Sequence, residues 1–117
     1  PPAQFIDHGP REPGEARQSL VSNGCIVHGA RVWHSILFAK VRIGPGSEID
    51  ESLLLPNVST GRGVRLRRAI IDKHCCLPDG FHAGLDAAAD RTRGFHVTHG
   101  GITLVTAEML GQDGRLE

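Results

Sequence analysis

The chain has 117 residues, with 13 Lys and Arg balanced by 13 Asp and Glu, so one compact domain fits and no global field draws it to nucleic acid or an anionic membrane. No apolar run approaches the roughly 18 residues of a membrane helix and no signal-peptide pattern opens the sequence, which predicts a soluble, cytoplasmic protein. The start at Pro1-Pro2, without a Met, reads as a piece of a longer polypeptide.

Residues 1–18 (PPAQFIDHGPREPGEARQ) mix prolines, glycines and charges with little periodicity and read as a linker or irregular lead-in from a preceding domain. Residues 19–84 repeat every 17 residues. Ile26, Ile43, Thr60 and Leu77 fall in one column; Val32, Ile49 and Leu66 in another; Leu37, Leu54 and Ile71 in a third, with Leu20 continuing it one coil earlier. Small residues align as well, Ser35 with Ser52 and Ala69, and Ala30 with Ser47. Units that cannot bury an apolar face alone must stack to do so, and this self-similarity predicts a parallel β solenoid. Apolar anchors recur every six residues within a coil, as in Ile43, Ile49 and Leu55, which three flat faces per turn satisfy. From residue 85 the pattern changes. Asp86 to Arg93 predicts a two-turn helix ended by Gly94, followed by strands over 95–97 and 101–105 and a turn over 107–110. Residues 85–117 are therefore expected to cap the solenoid, whose terminal coil would otherwise present unpaired strand edges.

The three cysteines give no disulfide. The 17-residue register places Cys25 and Cys76 in one column three coils apart, roughly 14 Å at the ~4.8 Å spacing of hydrogen-bonded strands, which exceeds the reach of a bridge. Cys75 falls in the Val41 and Val58 column and reads as an apolar filler.

Several segments carry a specific resemblance: PPAQF at 1–5, SLVSNGCIVHGARV at 19–32, SILFAKVRI at 35–43, LLPNVSTGRGVRLRRAIID at 54–72 and GGITLVTAEML at 100–110. With them the chain resembles the C-terminal domain of the bacterial glucose-1-phosphate adenylyltransferase family. The resemblance implies an all-β, left-handed parallel β-helix with a short α/β cap, an exception to the right-handed crossover of parallel strands. It also implies a preceding catalytic domain that would hold ATP, Mg²⁺ and the sugar phosphate. No catalytic residue, metal ligand or cofactor site is carried over to this chain. A tetrameric full-length parent and a sugar-phosphate effector are further implications.

Arg62, Arg65, Arg67, Arg68 and Lys73 form the one basic concentration. Arg65, Arg67 and Arg68 lie one period above Glu48, Asp50 and Glu51, which predicts a cross-strand ladder of opposite charges. Arg62 and Lys73 stack on Pro45 and Pro56 instead and are the candidate anion ligands. The resemblance points the same way for Lys73, whose position is usually basic in the family and close to the activator in enzymes driven by fructose 1,6-bisphosphate. Enteric-type members carry arginines after the LVT motif where this chain has Ala107 and Gly111, so a different effector set is implied unless Arg115 or N-terminal residues compensate. His28 and His34 fall on successive faces and cannot share a metal within one chain, and Trp33 should face outward as a contact surface. The leading reading is a regulatory and assembly domain of the adenylyltransferase, inactive alone. Two others are a free-standing hexapeptide acyltransferase, which needs a cofactor groove between solenoids of a trimer, and a purely structural assembly module.

Overall fold

The computed structural model describes residues 1–113 and shows a left-handed β-helix of three parallel sheets. The first coil is β1 (Gln4–Ile6), β2 (Glu15–Arg17) and β3 (Leu20–Val21); the second is β4 (Ile26–His28), β5 (Arg31–Trp33) and β6 (Ile36–Leu37). The third and fourth are β7 (Arg42–Ile43), β8 (Glu48–Asp50) and β9 (Leu53–Leu54), then β10 (Ser59–Thr60), β11 (Arg65–Arg67) and β12 (Ala69–Ile71). The last begins with β13 (Cys76–Leu77) and β14 (His82–Ala83), detours through α1 (Ala87–Thr92) and β15 (His96–Val97), and regains the third face with β16 (Thr103–Val105). Face A stacks β1, β4, β7, β10 and β13; face B stacks β2, β5, β8, β11 and β14; face C stacks β3, β6, β9, β12 and β16, with β15 antiparallel beyond it. No helix among the described residues is long and apolar enough to cross a membrane.

The lead-in expected over residues 1–18 is part of the solenoid: β1 and β2 pair with β4 and β5 and form a first coil. It hid because its corner is swollen to residues 7–14, which breaks the period. Two columns also shift. Ile26 pairs with Arg42, sixteen residues on, whereas Ile36 pairs with Leu53, seventeen on. The cause is a corner one residue shorter between Val27 and Val32 than between Ile43 and Ile49. Val27, fully buried, therefore takes the inward place assigned to Ile26, and Val21 takes that assigned to Leu20, which is 68% exposed. Cys25 likewise joins Val41, Val58 and Cys75 rather than Cys76. All three cysteines are free.

Each corner needs a residue in the left-handed region, disfavoured for most side chains. The A-to-B corner supplies glycine at Gly29, Gly46, Gly63 and Gly80, while the other corners use Gln18, His34, Glu51 and Arg68, or Gly24, Lys40, Asn57 and His74. Gly29 is required twice over, because a Cβ there would strike the His8 side chain of the swollen corner.

The core is one apolar column per face, exemplified by Leu37, Leu54, Ile71 and Val105, each fully buried. The aligned serines line the B-to-C corner. Ser19 accepts from the Ser35 N–H at 3.1 Å, Ser35 from Ser52 at 3.0 Å, and Ser52 from Ala69 at 3.2 Å, while each hydroxyl donates to the carbonyl two residues back. Buried hydroxyls are thus fully satisfied.

Candidate functional site

The charge ladder on face B has the expected register, with Arg65 opposite Glu48 and Arg67 opposite Asp50. Only its first pair closes directly, Arg65 Nε lying 3.7 Å from Glu48. Asp50 is taken by His34, whose Nδ1 is 3.1 Å away, and Arg68 leaves the ladder to donate to the Gly100 carbonyl at 2.9 Å. Lower on the same face Glu15 receives Arg17 at 3.2 Å and Arg31 at 3.9 Å. The face is charge-compensated, and exposed pairs of this kind add about 0–1 kcal/mol each. Trp33 stands outward in its Asp50 column under the Arg31 guanidinium, half-buried, with its indole N–H unpartnered.

Arg62 and Lys73 are not brought together. Arg62 occupies the corner leaving β10, on the way to face B, and Lys73 the corner entering β13, at the opposite edge of face A. Each stands beside an acid. The Arg62 backbone N–H donates to Asp79 at 2.8 Å, and that of Lys73 donates to Asp72 at 2.8 Å. Lys73 opens on a cleft of about 430 Å³ that also touches Ala107, Glu108 and Asp113. Arg115 lies outside the described residues.

A larger groove, about 900 Å³, runs along the outside of face A and was not foreseen. Its floor is the outward column Ile26, Arg42, Ser59 and Cys76; Lys40, Asn57 and His74 of the C-to-A corner form one wall. Gln112 closes the far end, its amide accepting from the Cys76 N–H at 2.9 Å and donating to the Cys76 carbonyl at 2.8 Å, as a neighbouring strand would. The 17-residue period already aligns Arg42, Ser59 and Cys76; the register slip misplaced only the lower end of the column, putting Cys25 where Ile26 stands.

Elsewhere, His8 and His28 meet edge-on, Nδ1 to Nε2 at 3.2 Å, across the swollen corner. No three His, Cys, Asp or Glu residues among those described gather into a metal-binding group. Cys25 and Cys75 lie in the core, and burial, helped by Asp72 and Cys76, pushes the Cys75 thiol up to about 11, so it stays protonated.

The cap is built on Asp90, whose side chain is fully buried. Its carboxylate accepts from Gly84 N–H at 2.8 Å, Thr103 Oγ1 at 2.7 Å and Arg93 Nη2 at 2.5 Å. Burial alone would raise this carboxyl, but the hydrogen bonds outweigh it and hold it below its ordinary value. Arg93 also covers the Phe81 and Phe95 rings and donates to the His82 carbonyl at 2.6 Å. Gly84 must be glycine, because a Cβ would strike the Arg67 carbonyl. Asp86 caps the N-terminus of α1, accepting from Ala89 at 3.2 Å, as Ser, Thr, Asp and Asn do.

The family signature described as "GlmU-like, C-terminal hexapeptide" matches residues 1–105. Over 96% of its length the chain is 47% identical to a glucose-1-phosphate adenylyltransferase of Nitrosospira multiformis, covering 26% of that protein. A protein of the same name in Methylobacillus flagellatus is 46% identical over 97% of the chain and 26% of its own length. One in Dechloromonas aromatica is 47% identical over 96% of the chain and 25% of its own length. The chain thus spans about a quarter of the length of these curated relatives. The coils, the register and this match agree: the chain belongs to the GlmU-like C-terminal hexapeptide family and corresponds to the C-terminal domain of glucose-1-phosphate adenylyltransferases.

Proposed function

We propose that this chain is the regulatory and assembly domain of a longer cytoplasmic enzyme that converts ATP and glucose 1-phosphate to ADP-glucose and pyrophosphate for glycogen synthesis. The carrying observation is the extent of the match, nearly all of this chain against a quarter of each relative. ATP and Mg²⁺ would bind in the preceding domain, and the full-length protein would be a homotetramer. Neither nucleic acid nor membrane enters this reading. The open first coil supports docking of the preceding domain there, since Phe5, Ala16 and Val21 point inward at that end with no further coil beneath them. Lys73 and Arg62 would contact a sugar-phosphate effector separately, from opposite edges of face A, rather than as a chelating pair.

A chimera tests the reading. The C-terminal quarter of the Nitrosospira protein is replaced by this chain, and pyrophosphate release is followed with ATP, glucose 1-phosphate and Mg²⁺. Synthesis of ADP-glucose by the chimera, with none from the 117-residue chain alone, is expected; a folded but inactive chimera, or activity of the chain alone, contradicts it. In the same chimera fructose 1,6-bisphosphate should activate weakly, and Lys73→Ala should remove what activation there is.

A further inference from the structure

We infer that the face A groove is a binding site for a phosphorylated small molecule, with Lys40, Arg42 and His74 as the anion ligands. The inference stands on this chain's own geometry and does not rest on the proposed parent enzyme. Its first support is the contrast with face B. There Glu15 and Glu48 each have an arginine within 4 Å, and the third outward acid, Asp50, lies 3.1 Å from His34 Nδ1. The outward column of face A, Gln4, Ile26, Arg42, Ser59 and Cys76, holds no acid. Among the described residues neither Lys40 nor Arg42 has a carboxylate within ion-pair distance, and the one acid lining the groove is Asp113 at its far end.

The second support is placement. Arg42 projects from β7 and Lys40 from the corner just before it, so the two cations flank one rung, and His74 stands in the Lys40 column two coils on. Coils stack at about 4.8 Å, which puts His74 roughly 10 Å from Lys40, the span of a phosphorylated small molecule rather than of a lone ion. Lys40, Asn57 and His74 all take left-handed backbone, φ 60, 65 and 64, where the A-to-B corner uses glycine throughout. Asn57 and Ser59 add neutral donors between the two cations and His74, and Ile26 with Pro2 supplies an apolar end. A volume of about 900 Å³ lies within the range of small-molecule sites.

Cys76 provides the readout. It is exposed on the groove floor, whereas Cys25 and Cys75 are fully buried, so a neutral alkylating agent reports on this one thiol. The intact 117-residue chain is treated with iodoacetamide while 1-naphthyl phosphate or inorganic phosphate is titrated, and direct binding is followed by calorimetry. Saturating 1-naphthyl phosphate should slow alkylation at least fivefold and bind more tightly than inorganic phosphate. The Lys40→Gln, Arg42→Gln double variant, with an unchanged melting temperature, should weaken binding at least tenfold, while Arg65→Gln on face B and Lys73→Ala at the neighbouring cleft change it less than twofold. Absence of protection at millimolar 1-naphthyl phosphate overturns the inference. So does an equal loss in Arg65→Gln, or a loss confined to Lys73→Ala.

Discussion

The two ends of the solenoid meet the same physical problem in opposite ways. At the C-terminal end the chain leaves the coil path after β14, inserts α1 and β15, and returns to face C on β16, closing Phe81 and Phe95 under the Arg93 guanidinium. Phe95 is 7% exposed as a result. At the N-terminal end the detour, residues 7–14, runs along a corner instead of across the coil, its His8 against Gly29 and its Glu12 against Gly46. Phe5, in the column of Val27 and Ile43, remains 44% exposed. An insertion therefore caps a β-helix only when it crosses the open core; one that follows the edge leaves an apolar end able to receive another surface.

Substitutions sharpen that contrast, and the largest effect lies between the ends. Leu54→Asp places a carboxylate in a fully buried apolar column; with a penalty of several kcal/mol against about 5–15 kcal/mol of total stability, the domain should fail to fold, seen as loss of a cooperative melt. At the closed end, Asp90→Asn breaks a buried ion pair and should cost about 3–5 kcal/mol by urea denaturation. The same residue sets the acid limb. Its folded pKa lies below the unfolded value, so its stabilisation is complete above about pH 4 and is lost as pH falls through the folded pKa. Below pH 4 the native protein should lose stability more steeply than Asp90→Asn, and parallel curves would reject the assignment. Phe95→Ala and Phe5→Ala compare the ends directly: about 3–5 kcal/mol for the buried ring against about 1 kcal/mol for the half-exposed one in urea melts. Equal costs would mean that the first coil is covered after all. The smallest effect belongs to Leu20→Asp, within about 0.5 kcal/mol, because that side chain points out; a large loss would restore it to the column of Leu37.

The middle of the molecule was legible because its period is strict. Ile43 to Ile49 and Thr60 to Leu66 keep six-residue steps, and Leu54 and Ile71 stack as their spacing requires. Legibility failed where one residue is missing. The short corner between Val27 and Val32 moved Ile26, Leu20 and Cys25 each by one place, and a one-residue slip exchanges inward for outward side chains. The groove escaped notice for another reason: Lys40, Arg42 and His74 keep the regular spacing, but Pro2 and Gln112, which complete its lining, lie outside the repeat. Asp90 was read as one of the polar residues of a short helix, since its three partners, Gly84, Arg93 and Thr103, come from separate elements with no spacing rule to link them. The aligned serines were visible as small residues, but their hydrogen-bonded column was not.

The three partners of Asp90 also fix an order of events during synthesis. Gly84 and Arg93 flank Asp90 closely, but the third donor, Thr103, is translated later and sits on β16, which can form only on a finished β12. Coils of a solenoid can nucleate anywhere along the stack, but this lock closes only after the last strand has emerged. A nascent chain stopped before Thr103 therefore carries four rungs and an unfinished fifth, with Asp90 still short of a donor. Completion of the domain is signalled by the satisfaction of that single carboxylate.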